Sequence, residues 1–327
     1  MDVNITGSDN MDYNKTERVL RLFLMVGLIS FLLWVNTASA DLDETYKKGL
    51  SALKNGEYSQ ALEYLGVAAT NQNPNAQFTL GQIFRSGIGV AANLNTSLRW
   101  FEASAKNNHV TGQYVISWMY RNGIGTDVNQ EKSFVWMLKA AESGFMQARA
   151  EVAWMYATGT GVTHDPEKSY FWYNIAADGG DREAQYQLGL IYNAGHGVNK
   201  DHQKAMEWLK ESASQNYPNA QYVVGLMYSV GRGTSQSFED ALNWYLSAAE
   251  QGNTKAQVNL GLMYFTGRGV LKDQIEAHKW LTIAEISEHD SAKTNRQLIE
   301  RQMTDSDIAE SLRRVTDWFK KYNEVNS

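Results

Sequence analysis

Four kinds of residue spacing in this chain invite a chemical reading. Ser51, Ala52, Leu53 and Lys54 spell S-x-x-K, in which a lysine takes the proton of a nucleophilic serine, but no K-T-G element completes it and the match reads as the surface of a helix. Six glycine pairs of the form G-x-G resemble phosphate-cradling turns, yet a dinucleotide fingerprint needs a strand before the glycines, and a helical pattern precedes each pair here. The six histidines, His109, His164, His196, His202, His278 and His289, form no close pair on one helical face, and the chain has 0 cysteines to complete a zinc set. His196 and His202 flank one turn and are the nearest thing to a pair. No serine, histidine and carboxylate arrangement stands out, so no catalytic residue, metal or cofactor is assigned. The fourth spacing points to binding. Tyr114, Trp118 and Arg121 are four and three apart and share one side of a helix, with Arg85 and Trp154 on the helices expected to flank it. Tyr, Trp and Arg are the residue types most enriched at binding hot spots.

The elements that hold these residues recur every thirty-six positions. In the stretch from Ala184 to Asn219, Ala184, Leu188, Ile191 and Tyr192 make one apolar helical stripe. Gly189 is small enough for a neighbouring helix to approach closely. Gly195 and Gly197 stop the helix, because glycine takes the left-handed conformation without a steric penalty. Asp201 caps a second helix whose apolar face carries Ala205, Trp208, Leu209 and Ala213. The turn glycines return as Gly87/Gly89, Gly123/Gly125, Gly159/Gly161, Gly231/Gly233 and Gly267/Gly269, the caps as Asn93, Asn129, Asp165, Ser237 and Asp273, and the tryptophan as Trp100, Trp136, Trp172, Trp244 and Trp280. This strict recurrence predicts that the second-helix tryptophans are core. The pattern predicts an all-α solenoid of helix-turn-helix repeats.

On these residues, A-Q-x-x-L-G-x-x-Y, the G-x-G turn and the later tryptophan, the chain resembles the Sel-one-like repeat family of the tetratricopeptide superfamily over residues 76–291. The resemblance implies a right-handed α/α superhelix whose first helices line a concave face, and a role in gripping protein partners. Three columns would then look inward: Phe78, Tyr114, Ala150, Tyr186, Tyr222 and Val258; Gln82, Trp118, Trp154, Leu190, Leu226 and Leu262; Arg85, Arg121, Ala157, Asn193, Ser229 and Phe265. The partner-binding residues expected on that face are Arg85, Tyr114, Trp118, Arg121 and Trp154. Cysteine-rich relatives linked to β-lactam binding carry a bridge in each repeat, and this chain lacks that device, so their activity does not carry over.

The ends are atypical, as solenoid ends must be. Residues 1–40 read as a signal peptide: Lys15, Arg18 and Arg21 precede an apolar run, and Ala38, Ser39 and Ala40 mark cleavage after Ala40. The competing reading is an uncleaved anchor, since residues 22–40 carry no charge; Met11 is an alternative start. Either reading places the repeats outside the cytoplasm, in a periplasm, free or tethered to the inner membrane. Residues 41–75 read as a tetratricopeptide-like start unit and residues 292–327 as capping helices, the last with Ile308, Leu312, Val315 and Trp318 on its inner stripe and Thr304 as its cap. With 43% hydrophobic residues, 12% aromatic, 3 prolines and a net charge of −6, the chain suits a helical protein and is a poor phosphate-backbone binder. The expected partner is a protein or peptide, with no nucleic acid and no small-molecule substrate. The rival readings are a structural part of a cell-envelope complex and a cell-wall or β-lactam-binding enzyme.

Overall fold

The structure is a computed structural model that describes residue 41 and residues 43–287 and 289–326; the expected export segment over residues 1–40 lies outside them. Every regular element among the described residues is a helix. They fall into two compact units, divided between Ser143 and Gly144. The first holds α1 (residues 43–54), α2 (Tyr58–Thr70), α3 (Pro74–Ser86), α4 (Leu94–Lys106), α5 (Val110–Asn122) and α6 (Gln130–Glu142). The second holds α7 (Met146–Thr158), α8 (Pro166–Asp178), α9 (Arg182–Ala194), α10 (His202–Ser214), α11 (Pro218–Val230), α12 (Phe238–Glu250), α13 (Thr254–Thr266), α14 (Gln274–Ile286), α15 (Asp290–Glu300) and α16 (Asp305–Asn326).

Each repeat is made by local chemistry that the spacing predicts. All twelve turn glycines have φ between +68° and +79°, where a Cβ would be strained. The cap residues Asn93, Asn129, Asp165, Asp201, Ser237 and Asp273 each accept a hydrogen bond from a first-turn amide of the helix they open. Their own amides donate back to the first helix, from Asn93 to the Phe84 carbonyl through Asp273 to the Tyr264 carbonyl, at 2.8–3.0 Å. The turn is therefore locked at both ends.

The two helices of a repeat cross at a small residue. A Cβ added at Gly81 would lie 2.7 Å from the Phe101 ring, at Gly189 2.5 Å from Leu209, at Gly225 2.8 Å from Tyr245 and at Gly261 2.8 Å from Leu281. Ser117 occupies the matching place in the second repeat and donates to the Ser133 carbonyl at 2.7 Å. The large partners are buried, Leu209 and Leu281 completely. They lie one residue after the recurring tryptophans, which behave differently from the expectation. Only Trp136 and Trp280 are buried. Trp100, Trp172, Trp208 and Trp244 are half-buried, packed on the margins of the core clusters. A tryptophan at this register rotates its ring towards the repeat boundary, while the next residue points straight into the crossing.

Neighbouring repeats are tied by a polar device. Gln77, Gln185, Gln221 and Gln257 each donate Nε2 to the carbonyl of an alanine eight residues earlier, at 2.9, 3.2, 3.3 and 3.1 Å. The first of these ties α3 to α2, so the start unit is continuous with the repeats of its unit. There, Gly49 faces Leu65 as Gly81 faces Phe101.

At the other end of the second unit, α16 packs along α14. Thr304 caps it, as expected, receiving the Asp307 amide at 3.2 Å while Asp307 accepts from the Thr304 amide at 3.1 Å. Its inner stripe differs from the expected one: Leu312 is 46% exposed and Ser311 is fully buried in its stead. Ser311 faces His278 on α14, and that polar pairing sets the rotation of the helix.

Replacing Gly189 by Val should cost about 1–3 kcal/mol in urea denaturation, the usual scale of overpacking. Gly66→Ala, in a helix interior with open space around the new methyl, should instead stabilise by about 0.5–1 kcal/mol.

Candidate functional site

In the column predicted to carry Trp118 and Trp154, Gln82, Trp118, Trp154 and Leu226 are exposed, and Leu190 and Leu262 are half-buried. Trp118 is 43% exposed, Trp154 37% and Leu226 37%, large apolar surfaces that stacking leaves in water. Tyr114 is half-buried on α5 below Trp118, and Arg121 closes the last turn of that helix as Arg85 closes the last turn of α3. Both guanidiniums thereby sit where a helix C-terminus favours positive charge. Tyr114, Trp118 and Arg121 share one side of α5 in the first unit. Trp154 belongs to α7 of the second unit, where it holds the same register. The inner column is half-buried except Val258, which is buried. It is partly consumed by the stack: Phe78 stacks on His109 at 4.5 Å and meets Phe101 edge-on at 5.2 Å. Burial lowers the His109 pKa, and the ring uses Nδ1 to accept the Gly112 amide at 2.9 Å, so it acts as a neutral helix cap.

A concavity lies further along the second unit, at α11 to α13, where the sequence marked no anchor. A pocket of about 630 Å³ opens between α11, α12 and α13. Leu226, Val230, Leu262 and Phe238 supply apolar wall, and Tyr245, Asn259 and Ser229 are polar groups within it. Burial raises the pKa of both Tyr222 and Tyr245; hydrogen bonds to Asn259, and for Tyr245 also to Ser229, act the other way. Both phenols are neutral at pH 7 and able to donate. Arg268 lies over the Phe238 ring at 5.8 Å and puts a positive charge at the pocket. Apolar wall, a few convergent hydrogen-bonding groups and one cation suit an extended peptide with an apolar side chain and a nearby carboxylate. Leu226, Ser229 and Leu262 stood in the predicted columns, but leucine, serine and asparagine are not hot-spot types. What could have drawn attention to them is the combination of Tyr222, Tyr245 and Asn259 in successive elements.

The structure also assembles a serine, histidine and carboxylate that no spacing revealed. His278 Nδ1 lies 2.8 Å from Ser311 Oγ and its Nε2 lies 3.0 Å from Glu300 Oε1. Both His278 and Ser311 are completely buried, so no substrate carbonyl reaches the hydroxyl, and the trio joins α14, α15 and α16. Glu300 is held below the usual carboxylate range by the His278 hydrogen bond and then by Arg296. Beside it, Glu276 accepts from Lys279 at 2.9 Å and from Arg314 at 2.7 Å. Burial pushes the Glu276 carboxyl up, and those two cations outweigh it, leaving the value lowered. Ser51 and Lys54 are exposed on α1. His202 Nδ1 is 3.0 Å from Asn193 Oδ1, and His196 is exposed in the turn. Among the described residues no three His, Asp or Glu side chains converge as a metal site, and no helix is long and apolar enough to cross a membrane.

The Sel1 repeat model matches residues 74–109, 110–145, 147–181, 182–217, 218–253 and 254–285. Among solved structures, the chain is similar to a Sel1 repeat protein from Oxalobacter formigenes, at 30% identity and a TM-score of 0.62, over 80% of this chain and 76% of that one. It is also similar to c5321, a protective antigen of uropathogenic Escherichia coli strains with an SLR fold, at 24% identity and a TM-score of 0.37, over 87% and 85% of the two chains. No curated protein matches.

A carboxyl held low in the folded chain stabilises it above the ordinary carboxylate value and stops doing so as the pH falls through the lowered one. Glu276→Gln should therefore cost about 1.5–3 kcal/mol at pH 7, the scale of a hydrogen-bonded charge. In melts followed by tryptophan fluorescence, its difference from the parent should shrink as the pH drops below 4.5.

Proposed function

The chain belongs to the Sel1 repeat family, and from that premise we propose that it is an exported scaffold that holds a segment of a partner polypeptide on the exposed face of its first helices. What supports this is the column of large side chains left in water at one register, Trp118, Trp154 and Leu226. Exposed apolar groups of this size on a rigid frame mark binding surfaces. The pocket beside Leu226 adds the polar groups that would orient a peptide backbone. Binding here is by burial and hydrogen bonding, and the partner leaves unaltered. Export is supported by the basic residues before the apolar run and by Ala38, Ser39 and Ala40 after it. Whether the chain is free or anchored, the face works in the same way.

Two variants test the face in cells. Trp118→Ala with Arg121→Ala, and Leu226→Asp with Arg268→Glu, should each lower crosslinked recovery of the partner by about tenfold or more with the helical circular dichroism unchanged. Equal recovery from all three forms would sink the docking face. Export predicts that the chain purified from the periplasmic fraction begins at Asp41, or is membrane-bound with its start intact. Recovery of the full-length chain from the cytoplasm alone would contradict it.

A further inference from the structure

The glutamine tie between repeats has a second half. In three places the chain inserts its own carboxamide onto the glutamine oxygen: Asn107 Nδ2 donates to Gln77 Oε1 at 2.8 Å, Gln215 Nε2 to Gln185 Oε1 at 2.8 Å and Gln251 Nε2 to Gln221 Oε1 at 2.7 Å. The donor lies thirty residues after its acceptor each time. Thirty residues after Gln113 and Gln257 stand Ser143 and Ser287, and among the five glutamines at this register the Oε1 atoms of these two are left buried without a partner. Gln113 is 3% exposed, and its Nε2 reaches the Ala105 carbonyl at a long 3.5 Å. Leaving such an oxygen unpaired is costly.

At Gln113 the missing side chain leaves room. A pocket of about 360 Å³, wholly within the first unit, is lined by Gln113, Ser143, Trp136, Lys106, Lys139 and Asn108, with Glu142 also on its wall. That is far more than the ~30 Å³ one water takes in the liquid. Lys106 pairs with Glu102 at 3.3 Å, and Lys139 lies over the Trp136 ring at 4.5 Å.

We infer that this pocket is a receptor for a primary carboxamide, the side chain of a glutamine or asparagine on a partner polypeptide, which completes in trans the rung that Ser143 leaves open. The N–H of the incoming amide donates to Gln113 Oε1, and its oxygen accepts from Lys139 or Asn108. Hydrogen-bonding chemistry narrows the choice. An ammonium group could donate to Gln113 and face Glu142, but it has no lone pair for Lys139 or Asn108 to donate to. A carboxylate would suit the lysines but points lone pairs at an acceptor oxygen. A neutral amide satisfies both, as the chain's own amides do elsewhere. The site is separate from the docking face proposed above and stands or falls without it.

Three isosteric probes test it by NMR titration of the labelled protein: propionamide, propionate and propylammonium. Propionamide should give saturable shifts at the Gln113 side-chain amide and the Trp136 indole, with both ions at least about tenfold weaker. Ser143→Gln should close the rung, abolish those shifts and raise Tm by about 2–4 °C; Ser143→Ala should keep them. Equal propionamide shifts in the parent and in Ser143→Gln, equal binding of an ion, or no saturable shift in the parent would each overturn the assignment.

Discussion

The close approach of two helices at a small residue is the constraint from which the rest of each unit follows. Where Gly81, Gly189, Gly225 and Gly261 stand, the facing Phe101, Leu209, Tyr245 and Leu281 press against bare backbone, and an added Cβ would force the facing side chain or the helix to shift. That contact sets the separation and rotation of the pair, because dense packing leaves no slack to absorb a shift. Once the pair is rigid, the turn glycines, the caps and the return hydrogen bond from cap to first helix all fall at repeatable distances. A single pair cannot bury its outer apolar stripe, so stability comes from neighbours, as one-dimensional repeat proteins require.

The neighbour contact is chemically different from the crossing. Within a repeat the helices meet through alanine, glycine and large apolar side chains. Between repeats a glutamine donates to an alanine carbonyl of the preceding repeat and, where the end of its own repeat's second helix offers an amide, also accepts. Hydrogen bonds are directional where apolar contact is not, and this tie fixes the register in which repeats stack. It also tolerates variation, since losing the accepted half costs one hydrogen bond and leaves the donated half in place. Arg149 shows the extreme: it stands in the glutamine position, bonds Met146 Sδ at 3.3 Å and keeps a buried Nε without a partner.

The ends of the stack answer the same problem with different means. At the start, Gly49 and Leu65 repeat the small-against-large crossing in a shorter unit. At the finish, α15 and α16 cover the last repeat through a network of His278, Ser311, Glu300, Arg296, Glu276 and Arg314, with Trp280 and Trp318 packed edge-on at 6.2 Å beside it. A polar seam of this kind is specific in geometry and sensitive to protonation. It also explains why a constellation resembling a catalytic triad is buried here: its groups satisfy one another across three helices.

Much of this was legible in the residues themselves. Helix type, turn position, capping residue and repeat length depend on contacts within a dozen residues, and all six caps and all twelve turn glycines act as their types dictate. The exposed register of Trp118 and Trp154 was readable too, because a strict period assigns each position to a face. Folding decided the rest. The ring of a recurring tryptophan turns to the repeat boundary while its neighbour fills the crossing; Ser311 displaces Leu312 from the inner stripe; a pocket forms between α11 and α13 from side chains too ordinary to notice; and a serine thirty residues away leaves the Gln113 Oε1 without a partner. Each depends on which side chains meet across helices distant in the chain. Periodicity determines that a residue faces inward, whereas only packing in three dimensions determines what it finds there.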